Sequence, residues 1–243
     1  MRHTAHPMEK RTKHMSISHL LRTLEGLYDP PRSFLRWKTP LDLTIATLLS
    51  AQCTDVRTNI VTRELFRRCR TAQDYVRLAQ SELERLIHSC GTFRLKAKRI
   101  EALCSLLITR HGGKVPRTME ELIALPGIGR KTAAIILFAA FGKNEGIAVD
   151  THVMRLSRRL GLTQAKTPDK IAADLECQTP REQWGRLNTL FISHGRAVCT
   201  ARSRKCEQCA FKDRCPSSRI HGEPDRARIP QGKRKTVTAK QHR

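Results

Sequence analysis

The stretch from Thr118 to Phe141 constrains this chain more than any other. Thr118-Met119-Glu120-Glu121 has the form of a capping box, so a short helix starts there. Pro126 and Gly127 stop it. Gly127 and Gly129 permit a tight turn and a close backbone approach to a ligand. From Arg130 the run through Ile135, Ile136, Leu137 and Phe138 to Phe141 is apolar almost all round, as in a buried helix. Helix, Gly-Ile-Gly turn and buried helix form a helix-hairpin-helix, whose second helix points its positive end and open amides at the turn, an anion site suited to phosphate. Lys131 lies in the first turn of that helix beside Arg130, where the dipole and the neighbouring guanidinium disfavour a second cation. Two readings stand: a phosphate ligand, or an amine held ready to attack carbon.

The rest of the pattern is helical. Ile17 to Leu27 has one apolar face, and Asp29-Pro30-Pro31 breaks it. Thr39-Pro40-Leu41-Asp42 opens a helix to about Ser50, and Thr54 or Asp55 caps the next, to about Cys69. Thr71 caps a short helix, and Ser81 to Glu84 reads as a capping box for another that Gly91 ends. A helix from about Leu95 to His111 turns Ile100, Leu103, Cys104 and Leu107 inward and Lys96, Lys98 and Arg99 outward. Asp150-Thr151-His152 leads into a helix ending at Gly161, and Thr167-Pro168 and Thr179-Pro180 open two more. No strand pattern is long enough for a sheet, so the class is all-α.

Charge narrows the partners. The chain has 46 Lys and Arg against 22 Asp and Glu among 243 residues, a formal net charge of +24. That excess points to nucleic acid or another polyanion. No apolar run approaches the ~20 residues of a membrane span, and no signal-peptide core opens the chain, so no membrane role and a cytoplasmic location are expected. Both ends are basic, and residues 1–16 and 218–243 read as disordered arms that add salt-sensitive affinity.

Four of the nine cysteines crowd into C-x6-C-x2-C-x5-C: Cys199, Cys206, Cys209 and Cys215. Four thiolates so close can wrap one metal centre. Only Cys206 and Cys209 form a zinc-type knuckle, which sets a [4Fe–4S] cluster ahead of zinc without excluding it. The loop between the first two cysteines carries Arg202, Arg204 and Lys205, which read either as cations presented to phosphates or as charges that only solvate the loop. Asp150 reads either as a plain helix cap or as a carboxylate working beside Lys131, and spacing does not decide between them.

At Leu125 to Ala134, at Val149-Asp150-Thr151-His152-Val153 and at the four cysteines, the chain resembles the endonuclease III branch of the helix-hairpin-helix DNA glycosylases. Ser50-Ala51-Gln52-Cys53-Thr54-Asp55 and Gly91 to Ala97 are also similar to segments of that family, and the likeness runs from about Ile17 to Cys215. The resemblance implies two helical domains with a DNA-binding cleft between them: a six-helix barrel over 34–143, with the hairpin at 118–141, and an iron-sulfur cluster domain from 17–33 and 144–217. It implies a [4Fe–4S] cofactor on the four cysteines, Lys131 as nucleophile and Asp150 as catalytic carboxylate. It marks Gln52, Gly127, Ile128, Gly129, Arg130, His152, Arg204 and Lys205 as DNA contacts. Gln52 fills the space of an extruded base. The family often has a leucine wedge where this chain has Thr92, with Phe93 and Arg94 as substitutes. The activity implied is that of a bifunctional glycosylase and AP lyase of base excision repair. It acts as a monomer, in a prokaryotic, nucleoid-associated setting, on double-stranded DNA with oxidised pyrimidines or abasic sites. The alternatives are a thymine or uracil mismatch glycosylase of the same fold and a non-catalytic DNA-binding protein.

Overall fold

The structure, a computed structural model, describes residues 15–220. Most of the two basic arms expected at 1–16 and 218–243 therefore lies outside the described residues. Within them the regular structure is helical: α1 (Ile17–Leu27), α2 (Pro40–Leu49), α3 (Asp55–Arg68), α4 (Ala72–Arg77), α5 (Gln80–Ile87), α6 (Phe93–His111), α7 (Met119–Ile123), α8 (Arg130–Phe141), α9 (Thr151–Arg159), α10 (Pro168–Gln178) and α11 (Trp184–Ala197). Among the described residues there is no strand, only one isolated antiparallel bridge between Cys199 and Arg204. No helix is long and apolar enough to cross a membrane.

Local chemistry sets most helix starts. The Thr39 hydroxyl accepts from the Asp42 amide, while the Asp42 carboxylate accepts from the amides of Lys38 and Thr39. Thr71 and Asp74 repeat this arrangement at α4. Thr54 and Thr118 accept from the amides of Arg57 and Glu121. Each such cap contributes about 1 kcal/mol. The start of α5 corrects the sequence reading. Its cap is Ala79, without a side-chain bond, so Ser81 lies inside the helix and builds no capping box. Glu82 instead pairs with Arg68 and Arg85. Helix α6 also begins two residues before Leu95, at Phe93.

Two apolar cores result. The first gathers α2 to α8 around Leu49, Leu65, Tyr75, Ile100, Leu107 and Leu137. The second joins Leu20, Leu21 and Leu24 of α1 to Leu156, Ile171, Leu175, Leu187, Phe191 and Phe211, so the two ends of the described chain build one core. The segment Ile147-Ala148-Val149 runs between them. Ala148 belongs to the first core, and Ile147 and Val149 to the second. Alternation in an extended segment sends neighbouring side chains to opposite sides. The Asn188 amide fixes this segment by donating to the Ala148 carbonyl at 2.7 Å. Where α11 meets α8, Gly185 lies flat on the Phe138 ring, and a Cβ there would fall 2.0 Å from the ring's Cδ2.

Candidate active site and cysteine pocket

The hairpin is built from the core outward. Leu125 and Ile128 are buried, and the Ile128 amide donates to the Leu125 carbonyl at 3.1 Å. Ile128 therefore anchors the turn, and its amide is already bonded. Gly127 has φ +81°, and a Cβ there would press on Arg99 and Leu48 at 3.1 and 3.3 Å. Gly129 differs: a Cβ added there meets nothing within 4 Å, so it faces open space. Helix α8 starts at Gly129 with no side-chain cap and no acid in its first turn. Its positive end is thus uncovered, with Arg130 and Lys131 exposed beside it.

Asp150 heads α9. Its Oδ1 accepts from the Val153 amide at 2.8 Å, so the carboxylate caps the helix. Its other oxygen makes no hydrogen bond among the described residues. Lys131 belongs to a helix of the first core and Asp150 to a helix of the second, and the two form no ion pair with each other. The segment that leads to α9 passes close to α8: a Cβ on Gly146 would touch Ala134 at 3.9 Å.

Gln52 and Thr92 are the two non-glycine residues with positive φ among the described residues, at 55° and 40°. Both are exposed. Left-handed backbone costs roughly 1–2 kcal/mol per residue outside glycine, and such strain gathers at functional sites. Phe93, beside Thr92, is half-buried with its ring 4.6 Å from that of His88, and Arg94 stacks over it at 5.1 Å. Thr92 itself is the exposed N-cap residue of α6 and makes no side-chain cap bond.

Lys96 overturns its expected place on the outer face of α6. It is only 3% exposed. Its ammonium donates to the carbonyls of Leu49 at 2.8 Å and Cys90 at 2.5 Å. Burial lowers its pKa. The sequence reading grouped it with Lys98 and Arg99 by charge, but four residues before Ile100 and seven before Leu103 it lies on the inner face of α6, which the end of α2 covers there.

Helix α9 also reaches the cysteines. The Arg155 guanidinium donates to the carbonyls of Cys199 and Gly195 and lies 3.1 Å from His152 Nδ1. A Cβ on Gly195 would fall 2.5 Å from that nitrogen, so glycine is required there. His152 is half-buried, and burial holds it below the usual histidine range. Arg159 donates to Cys199 Sγ at 3.3 Å and to the Thr200 carbonyl at 2.8 Å. Neither arginine was marked by the sequence. Their i, i+4 spacing on the polar face of α9 was the available signal.

All nine cysteines are unpaired, and Cys199, Cys206, Cys209 and Cys215 line one pocket. Burial first, then the charge of the other three thiols, pushes Cys215 up to about 11. Cys209 is raised by burial, and Cys199 and Cys206 add to the rise. As placed, no three His, Cys, Asp or Glu side chains among the described residues form a group able to hold a single metal ion. Buried His194 bridges this pocket to α1: the Tyr28 hydroxyl is 3.1 Å from its Nδ1, and Cys209 Sγ is 3.6 Å from its Nε2. Arg204 is half-buried in the pocket wall and donates to the Ser217 carbonyl, whereas Lys205 is exposed. A larger cavity of about 530 Å³ lies elsewhere, between the 36–39 loop and α3, and shares none of these residues.

The family described as "HhH-GPD superfamily base excision DNA repair protein" matches residues 45–181. Endonuclease III of Synechocystis sp. is 45% identical over 207 residues, covering 85% of this chain and 94% of that protein. Endonuclease III of Bacillus subtilis is 41% identical over 177 residues, covering 72% and 80%. Among solved structures, a trapped endonuclease III–DNA covalent intermediate superposes with a TM-score of 0.80 at 38% identity, covering 84% of this chain and 96% of that one. With an all-helical fold, an uncapped hairpin helix carrying Lys131 and a four-cysteine pocket in place, this chain belongs to the endonuclease III family of helix-hairpin-helix DNA repair proteins.

Proposed function

We propose that this protein removes oxidised pyrimidines from duplex DNA and cuts the strand through a Schiff base on Lys131. The broader activity follows from the family: a DNA-binding glycosylase and AP lyase of base excision repair. One observation carries the assignment of Lys131. It is exposed in the first turn of a helix whose positive end faces open space at Gly129, where a DNA phosphate docks.

The damaged nucleotide leaves the stack, since its sugar carbon is unreachable within it. The Lys131 amine attacks C1′, and the base departs with the glycosidic electrons. Asp150 stabilises positive charge on the sugar and accepts the proton released by the amine. The sugar ring opens to a Schiff base between Lys131 and C1′. Loss of a C2′ proton expels the 3′ phosphate by β-elimination, and water then hydrolyses the imine and frees the lysine. Gln52 and Thr92, on strained exposed loops, enter the space the nucleotide leaves. The amides of Gly127 and Gly129, with Arg130, His152 and Lys205, lie along the DNA backbone; Ile128 and Arg204 act by holding the hairpin and the cysteine loop in shape.

The four thiols, converging on one pocket with Arg159 donating to Cys199 Sγ, suit a [4Fe–4S] cluster. Its contribution is to fold the loop that presents Lys205, with no part in base chemistry. The protein works as a monomer.

Borohydride reduction on a duplex with one thymine glycol, and on one with an abasic site, tests this reading. Native protein is expected to form a covalent adduct on both and none on undamaged duplex. Lys131→Ala is expected to form none while still binding DNA. An adduct of normal yield with Lys131→Ala would move the nucleophile to another amine.

A further inference from the structure

We infer that Lys96 is a positioning residue: its ammonium ties together the two loops that open the DNA around the target nucleotide. The inference rests on the functional reading above for what those loops do, and on geometry for the tie. The two carbonyls that Lys96 binds belong to Leu49, at the end of α2, and Cys90, at the end of the short turn after α5. Gln52 follows the first by three residues and Thr92 follows the second by two. These are the same two residues that hold left-handed backbone without being glycine. The acceptors close two helical segments about 40 residues apart in sequence, just ahead of the two loops, and the lysine that joins them is almost wholly out of water.

The chemistry suits a clamp better than a catalyst. A buried ammonium has three donors and no acceptor, so it suits a site that offers only carbonyl oxygens. Its nearest ionisable neighbours, Cys53 and Cys90, are thiols, and burial pushes Cys90 up to about 11. No carboxylate forms an ion pair with it among the described residues. Fixing both carbonyls orients the peptide units entering each strained turn, which holds Gln52 and Thr92 outward before DNA arrives. A residue that enters the duplex only after ordering itself pays that ordering cost at binding; here the cost is met by the fold.

Lys96→Met keeps the length and removes the donors; Lys96→Gln keeps one donor group and serves if the methionine protein folds poorly. Amide exchange without DNA is the first readout. Protection in segments 50–54 and 90–94 is expected to fall at least ~10-fold, with the rest of the first core unchanged. Kinetics are the second. Release of thymine glycol, which requires a paired base to be extruded, is expected to fall at least ~10-fold further than cleavage at a ready-made abasic site. Equal losses on both substrates, or loops that keep their protection, would overturn the inference. Failure of the native chain to form an adduct would count against the Schiff-base reading alone, because exchange reports the clamp without substrate.

Discussion

Asp150 caps α9 at Val153 through Oδ1, and its second oxygen is available for the catalytic duty proposed above, so an ordinary substitution confuses the two. Asn caps nearly as well as Asp. Asp150→Asn is therefore expected to leave thermal stability within a degree or two while slowing base release by about 10²–10⁴-fold. Asp150→Ala removes the cap as well, at about 1 kcal/mol, which lowers Tm by roughly 2–4 °C in a chain of this size. Melting curves and single-turnover base release on the two variants separate the duties. An Asn variant with native rates would reduce Asp150 to a cap. Lys96 carries a related lesson. Deleting a charge partner on the surface costs little, but its two carbonyls would be left buried and unmatched.

At the scale of elements, the contact between α11 and α8 decides how the two cores sit, and it depends on Gly185 meeting Phe138. Gly185→Ala is expected to cost about 1–3 kcal/mol through overpacking. Adding Phe138→Ala should recover part of that loss, since the methyl then enters space the ring vacated. Thermal melts of the two single variants and the double complete the cycle; strictly additive losses would mean the helices do not meet through this pair. The starts of α2, α3, α4 and α7 were legible in the sequence because a threonine and the amides it caps lie within four residues. The hairpin was legible for the same reason. Lys96 was misread by its charge: its spacing to Ile100, Leu103 and Leu107 already set it on the inner face of α6, while the Leu49 carbonyl that accepts from it lies 47 residues away and was not legible. Ser81 misled because Glu84 three residues on completes a capping pattern, yet Glu84 accepts from Gln80 instead. Gly185 and Gly195 went unremarked in the sequence, and only the packed helices explain why no side chain fits there. The joint role proposed for Lys131 and Asp150 could not be read from spacing, since they occupy different helices on different cores.

For the whole molecule, the cysteine pocket fastens the second core to itself. Phe211, between Cys209 and Cys215, is buried against His194, and Arg155 and Arg159 bind the backbone around Cys199. Cys206→Ser is expected to abolish iron binding and to loosen this core while the first stays folded. Calorimetry should then show two transitions where the native protein shows one, and DNA affinity should fall with the lost presentation of Lys205. A single unchanged transition with native affinity would leave the cysteines without a structural duty. The same architecture bears on how the chain is made. Helix α1 leaves the ribosome well before α11, its partner about 160 residues later, which at ~5–20 residues per second is a wait of roughly 10–30 s. During that interval the first core can close alone, while Leu20, Leu21 and Leu24 have no native surface to cover them. A nascent chain would thus expose one apolar helix until the last third is translated, and the four clustered cysteines emerge only after α11.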